Sequence, residues 1–575
     1  MCRSFRQVQH HMNCAMWKVS SNSATTSRSL NAPAFWALSI LVGVVSGLGA
    51  VAFRALIAFF HNLLFFGRFS TAYNANAHTP PSPWGPFVIL VPVVGAVGVT
   101  ALVTNFAPEA KGHGVPEVMD AIYHRRGVIR PVVSIVKALA SSLSIGSGGS
   151  IGREGPIVQI GSSFGSSIGQ LLRLPAWQCI TLVAAGAGGG IGATFNTPVG
   201  GVLFAVELAL HEVSARTLVP VVTATVTATY IGEIFLGPHP AFYIPALEAP
   251  FFAVAKPILL VAYAGLGVVA GLVSALFIWS LYGCESIFEK HVKGGSYVQH
   301  ILGMLLVGAL MYLLMARFGH YYVQGVGYAT IQDTLSGMRL PFSLLVLLFA
   351  CKLLATSLTL GSGASGGVFS PSLFLGATSG AAWGVAMNHL FPGLSVSPVA
   401  FAIAGMGAVV GGATGAAMTA IVMIFEMTLD YSVIVPMTLA VAISYAVRRT
   451  LIKDSIYTRK LTLRGESVPD TLRADLPFSR RAAAIMTPWS PEFLAAWWAE
   501  HGGGTPKDCV TVSEDATVME LIAKMRANDA STALVTPSRL IPPEDDIGSH
   551  SRIEGAITRK DILNKLADDL ELFGE

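Results

Sequence analysis

Gly146–Pro156 reads GSGGSIGREGP, and Gly361–Pro371 reads GSGASGGVFSP. Both fit Gly-Ser-Gly-x-Ser-x-Gly-x-x-x-Pro in one register, about two hundred residues apart. Each copy leads into an apolar segment that reads as a helix. A glycine-rich turn that opens a helix leaves the first backbone N–H groups without intrahelical acceptors, free to face an anion. Two such turns in one apolar chain predict a single anion site assembled from two related halves.

The surrounding composition gives these turns a membrane setting. Of 575 residues, 53% are hydrophobic and 12% charged, with a mean hydropathy of +0.60. A soluble domain carries about 25% charged residues. The net charge of +4 is small and dispersed, which argues against a nucleic-acid partner. The cysteines Cys2, Cys14, Cys179, Cys284, Cys351 and Cys509 are scattered without a CxxC, so neither a disulfide framework nor a metal site is expected. Residues 1–32 are polar and Ser/Thr-rich without an apolar core. They read as a disordered cytoplasmic tail, not a cleaved signal, with Met12 or Met16 as alternative starts.

Apolar stretches run from Ala34 to about Ile452. Phe87–Val103, Ile258–Leu281 and Leu345–Leu360 approach the roughly 20 residues that a crossing needs. Pro131–Leu143, Ile157–Leu172, Val199–Leu210, Leu373–Ala386 and Ala417–Met427 are shorter and bounded by Gly or Pro. Helices that end at mid-depth survive only where the broken backbone is buried in protein or lines a wet cavity. A second repeated block supports the first. Gly186 precedes Glu207 by the same spacing that separates Gly405 from Glu426. Chance similarity in Gly/Ala-rich sequence is the plainer explanation, but two blocks recur in the same order. The reading is an all-α polytopic membrane domain at 33–462. Its two inverted repeats, at about 34–235 and 255–460, have broken, tilted helices.

After Lys460 the charge rises. Residues 463–508 read as a linker or a degenerate segment, with Ala482–Met486 as its one patterned stretch. Residues 509–575 alternate strand-like CVTV, helical ATVMELIAKMRAND, then TALVT and EGAITRKDIL, with a polar loop at Ser538–Arg552. That order describes one small α/β module.

Glu154 carries the most chemistry. A carboxyl group inside a membrane domain is costly and is a functional candidate by default. Set against the positive end of a helix, it would fill an anion site itself, and its protonation would vacate that site. It would then act as a gate and a proton carrier. The plainer reading is a helix-terminal glutamate beside Arg153 at a membrane surface. The second copy has Phe369 where the first has Glu154, so Val368 and Phe369 offer N–H groups without a competing charge. Lys137 and Arg54 lie in apolar stretches, where they either raise the potential along an anion path or pair with carbonyls.

In these motifs the sequence resembles the CLC family of chloride channels and proton/chloride exchangers. The likeness rests on GREGP at Gly152–Pro156, GVFSP at Gly367–Pro371 and GHGVP at Gly112–Pro116. It rests also on FNTPVGGVLFAVE at Phe195–Glu207, EMT at Glu426–Thr428, and Tyr457 in DSIYTRKL. It implies that Glu154 is the gating glutamate. It further implies that Gly152, Arg153, Gly155, Gly367, Val368, Phe369 and Tyr457 form the anion site, and that the protein is a homodimer in a cell inner membrane with cytoplasmic termini. Chloride would be the substrate, with nitrate open and protons as the coupled ion. No cofactor would be required. His113 replaces the family's central serine, and a neutral imidazole there donates one N–H or points away. Leu208 stands where proton-coupled members carry a second glutamate, after Glu207, which then reads as structural. This departure leans the reading toward a voltage- or pH-gated chloride channel, with a proton/chloride antiporter as the alternative. A membrane enzyme with a regulatory tail is more distant, since HExxH is absent. The tail resembles a CBS (cystathionine-β-synthase-type) domain. In TRKD, Thr558 and Asp561 would meet the phosphate and ribose of an adenine nucleotide.

Overall fold

A computed structural model describes residues 29–466 except 211–213, 243, 245–257, 339, 395 and 430–432. It then describes 468, 482, 485–490, 508–536 without 515 and 517, and 555–562. Of the expected tail at 1–32, residues 1–28 lie outside the described residues, as does the loop Ser538–Arg552, and the first helix already begins at Ala32.

Among the described residues the membrane domain is mostly helical. Its first half comprises α1 (Ala32–Phe66), α2 (Val91–Phe106), α3 (Val115–His124), α4 (Val132–Gly146), α5 (Glu154–Leu171), α6 (Ala176–Phe195), α7 (Pro198–Phe204) and α8 (Ala215–Leu236). The second comprises α9 (Ile258–His291), α10 (Gly295–Phe318), α11 (Tyr328–Leu335), α12 (Phe342–Gly361), α13 (Phe369–Leu390), α14 (Pro398–Thr414), α15 (Ala417–Thr428) and α16 (Ile434–Leu451). The short α17 (Thr458–Arg464) follows. Among the described residues, eight helical stretches are long and apolar enough to cross a bilayer, counting Gly85–Phe106 as one.

The breaks fall where the sequence places them. α4 and α12 each stop at the first glycine of an eleven-residue motif. The third residue of each motif, Gly148 or Gly363, has φ of 100° or 121°, a conformation closed to side-chain-bearing residues. Pro156 and Pro371 sit in the first turn of α5 and α13, where a missing N–H costs no helical bond. Small residues then let the restarted helices approach closely. A Cβ on Gly161 or Gly186 would strike the other's backbone, and the same holds for Gly376 and Gly405. α5 packs on α6, and α13 on α14, through these pairs.

Two carboxylates are exchanged between the halves. Glu207 accepts from Met418 N–H (3.2 Å), Thr419 N–H (2.8 Å) and the Thr419 hydroxyl (2.7 Å), at the start of α15. Glu426 accepts from Val199 N–H (3.0 Å) and Gly200 N–H (2.7 Å), at the start of α7. Neither helix has a capping side chain at its own N-cap, so each takes its cap from the other half. Glu207 is thus a structural cap, as its sequence setting suggests.

The tail holds a four-stranded sheet in the order β1-β4-β3-β2. The strands are β1 (Thr487–Pro488), β2 (Cys509–Ser513), β3 (Thr532–Thr536) and β4 (Gly555–Thr558), with α18 (Val518–Ala527) between β2 and β3. β2 and β3 run parallel, and β4 is antiparallel to both β3 and β1. Val510, Leu521, Val535 and Ile557 form its core together with Ala482. Ala482 and the strand Thr487–Pro488 thus pack with this module.

Candidate anion site

Backbone bridges stitch three glycine-rich loops together. Gly152 and Gly367 exchange two N–H···O bonds of 2.7 Å. Gly112 N–H donates to the Ala364 carbonyl (3.0 Å), and Gly366 N–H to that of Gly112 (3.2 Å). The Ser365 hydroxyl adds a bond to the Ala110 carbonyl (2.6 Å). The starts of α3, α5 and α13 thus meet in the protein interior. The motifs at 146–156 and 361–371 share one frame, in which Gly152 and Gly367 use their N–H groups on each other.

Glu154 is the first residue of α5 and is 1% exposed. Its carboxylate reaches across to the tip of α13. It accepts from Ser370 N–H (3.2 Å), from the Ser370 hydroxyl, and from the Tyr328 hydroxyl (2.6 Å). The N–H groups of Val368 and Phe369 find no acceptor among the described residues. This is the charge arrangement expected at a helix N-terminus: partial positive charge outward, a carboxylate upon it. Arg153 lies over the rings of Tyr328 (5.1 Å) and Phe195 (5.6 Å), and Phe195 packs on Phe369 (5.8 Å).

Two buried lysines hold the frame. Lys137 Nζ donates to the carbonyls of Ala110 (3.0 Å) and Gly112 (2.8 Å). Lys352 Nζ donates to those of Val323 (3.2 Å) and Gly325 (3.0 Å). Each lysine precedes its motif's first glycine by nine residues. Each clamps a Gly-x-Gly turn, Gly112–Gly114 or Gly325–Gly327, that opens a short helix. Lys137 therefore pairs with carbonyls and does not stand free in the interior. Arg54 lies within electrostatic range of Arg153.

Tyr457 is 2% exposed and stands at the N-cap of α17. The Tyr282 hydroxyl fixes its neighbour by donating to the Ile456 carbonyl (2.6 Å). Tyr457 lies within electrostatic range of Glu154. His113 is 6% exposed, and its buried Nδ1 has no hydrogen-bond partner among the described residues. Its ring meets that of Tyr282 edge-on at 6.1 Å, with Lys137, Lys460 and Arg464 as its charged surroundings. Arg464 closes α17 onto α3 through a two-bond pair with Glu117 (2.5 and 3.2 Å).

Sequence reasoning did not find Tyr328, Ser370 or Lys352. Ser370 lies inside the second motif, beside the residues singled out. Lys352 follows from Lys137 by the nine-residue spacing. Tyr328 is marked only by the Gly325-x-Gly327 turn, which matches Gly112-x-Gly114. Thr558 and Asp561 sit apart from this site. Thr558 donates to Asp561 through its N–H (2.8 Å) and hydroxyl (2.7 Å), and Asp561 N–H returns a bond to that hydroxyl (3.1 Å). This is a reciprocal helix cap.

Fold and site define a polytopic membrane protein with helix tips gathered around a buried carboxylate. The family described as voltage gated chloride channel matches residues 94–449. The chain is 32% identical over 441 residues to the ClcB-like chloride channel protein of Ralstonia nicotianae, covering 76% of this chain and 98% of that one. It is also 32% identical over 404 residues to the H(+)/Cl(-) exchange transporter ClcA of Yersinia pseudotuberculosis, covering 70% and 81%. Among solved structures it resembles a slow cyanobacterial Cl-/H+ antiporter, with a TM-score of 0.64, 24% identity, and coverage of 76% and 99%. A eukaryotic CLC transporter gives a TM-score of 0.61, 20% identity, and coverage of 92% and 97%. The chain belongs to the CLC family, whose members carry ions across membranes and are not enzymes.

Proposed function

We propose that this protein exchanges chloride for protons, with Glu154 as both gate and proton carrier. The observation that carries this is the Glu154 carboxylate resting on the Ser370 N–H at the tip of α13. In that place it stands in for an anion. Protonation removes its charge, and the vacated N–H groups then serve a chloride that enters and leaves readily. Val368, Phe369 and Tyr457 are the donors to a second, more central anion, with His113 contributing a neutral N–H.

The reading corrects the lean toward a channel drawn from Leu208. Relatives at 32% identity over most of their length are named as H(+)/Cl(-) exchangers, and they weigh more than one side chain. Passive conduction remains the second reading. Leu208 favours it, and so does the use of Glu207 as a cap, since neither offers an inner proton site. The protein works as a homodimer in the cell's inner membrane with cytoplasmic termini, its halves inverted relative to each other. The tail is a CBS-like module that serves association, with an adenine nucleotide as its candidate ligand.

The test is flux and reversal potential in liposomes holding the purified protein, with chloride, nitrate and fluoride at two pH values. Coupled exchange shifts the reversal potential when a pH gradient is imposed, and passive conduction leaves it unmoved. Glu154→Gln is expected to abolish both the coupling and the pH dependence. PH dependence that persists in this variant would refute Glu154 as the gate.

A further inference from the structure

We propose that Tyr328 is the latch of the gate: its hydroxyl sets how readily the Glu154 carboxylate leaves the tip of α13. The inference rests on the reading of Glu154 as the gate. It adds a positioning residue from outside the glycine-rich motifs.

Tyr328 opens α11, and its hydroxyl donates to Glu154 at 2.6 Å while lying 3.0 Å from the Ser370 hydroxyl. A bond from a neutral donor to an ionised carboxylate is much stronger than one to the protonated acid. The hydroxyl therefore favours the closed, charged state selectively. Its position is fixed in advance. Phe242 meets the ring edge-on at 5.1 Å, and the Arg153 guanidinium covers a face. Lys352 ties down the loop that delivers it, through the carbonyls of Val323 and Gly325. A phenol held from three sides loses little freedom when it binds the carboxylate.

The competing view is that Tyr328 merely fills space beneath Arg153. Tyr328→Phe separates the two, because it keeps the ring and removes the hydroxyl. If the hydroxyl is a latch, the closed state weakens and less acid is needed to open the gate. The midpoint of the flux-against-pH curve then moves to higher pH, by about one to two units. A space-filling role leaves the midpoint in place.

The experiment is that curve, measured in liposomes for the wild type, Tyr328→Phe, Glu154→Gln and the double variant. The expected result is an alkaline shift for Tyr328→Phe, with flat curves for both proteins carrying Glu154→Gln. Ser370→Ala, which removes the hydroxyl shared by both groups, is expected to move the midpoint in the same direction. It is the control showing that a donor lost from Glu154 moves the curve. Flat Glu154→Gln curves with an unmoved midpoint in Tyr328→Phe would overturn the latch alone. A double variant that regains pH dependence would also overturn it. A pH-dependent Glu154→Gln would overturn the gate and the latch together.

Discussion

Replacing Glu207 separates a structural carboxylate from a proton-carrying one. Its oxygens take three donors at the start of α15: Met418 N–H, Thr419 N–H and the Thr419 hydroxyl. Two of the three come from Thr419, which is 1% exposed. Each buried donor left unpaired costs about 1–3 kcal/mol, so stranding both Thr419 donors in Glu207→Ala is expected to destabilise the fold by about 2–6 kcal/mol. Glu207→Gln keeps one carbonyl oxygen but loses the charge, and should cost about 1–2 kcal/mol. Thermal unfolding in detergent measures the loss, and the reversal potential under a pH gradient is read on the same preparation. The midpoint should fall in the order wild type, Gln, Ala, while the surviving protein keeps its coupling. A variant that loses coupling at an unchanged unfolding midpoint would refute the cap and make Glu207 a proton carrier. Glu426→Ala should follow the same rule with a smaller loss, because Glu426 serves two donors where Glu207 serves three. Since α7 packs on α15, the two losses should not add.

The lysine clamps give a paired expectation. Lys137→Met and Lys352→Met each strand two carbonyls and should destabilise by about 2–4 kcal/mol, net of the relief from burying a charge. Only Lys352→Met should also move the pH midpoint of flux, because its loop carries Tyr328 and its charge lies within electrostatic range of Glu154. Equal midpoints in the two variants would count against that division. His113→Ser replaces a ring N–H with a hydroxyl and should alter the chloride-to-nitrate flux ratio. An unchanged ratio would place the imidazole outside the anion's reach.

How much of this was legible in the sequence follows from how local each feature is. The eleven-residue motifs encode their turns in glycines and their restarts in prolines, so the breaks at Gly146 and Gly361 can be read directly. The extent of α13 cannot. It runs from Phe369 to Leu390, beyond the expected Leu373–Ala386. Gly376 and Gly380 look like interruptions, but serve close packing on α14. The equal spacing from Gly186 to Glu207 and from Gly405 to Glu426 was visible, yet the exchange of caps was not. A cap's partner lies in the other half, and spacing within one half says nothing about it. Tyr328 stayed hidden for the same reason: its role depends on Glu154, 174 residues away in sequence. In the tail, β1 was hidden because two residues paired to a distant strand leave no periodic pattern.

These long-range contacts share a logic. Glu154 belongs to the first half, but every donor on its carboxylate belongs to the second. Gly152 and Gly367 bridge the halves symmetrically, and Glu207 and Glu426 are traded between them. Neither half alone can satisfy its own helix tips, which would be costly in a membrane interior where water cannot replace a missing partner. One tip is left differently. The carboxylates at α7 and α15 each take two consecutive N–H groups, whereas at α13 Glu154 leaves those of Val368 and Phe369 without an acceptor among the described residues. On the proposed reading, these spare donors would let the α13 tip receive a mobile anion without loosening the caps on α7 and α15.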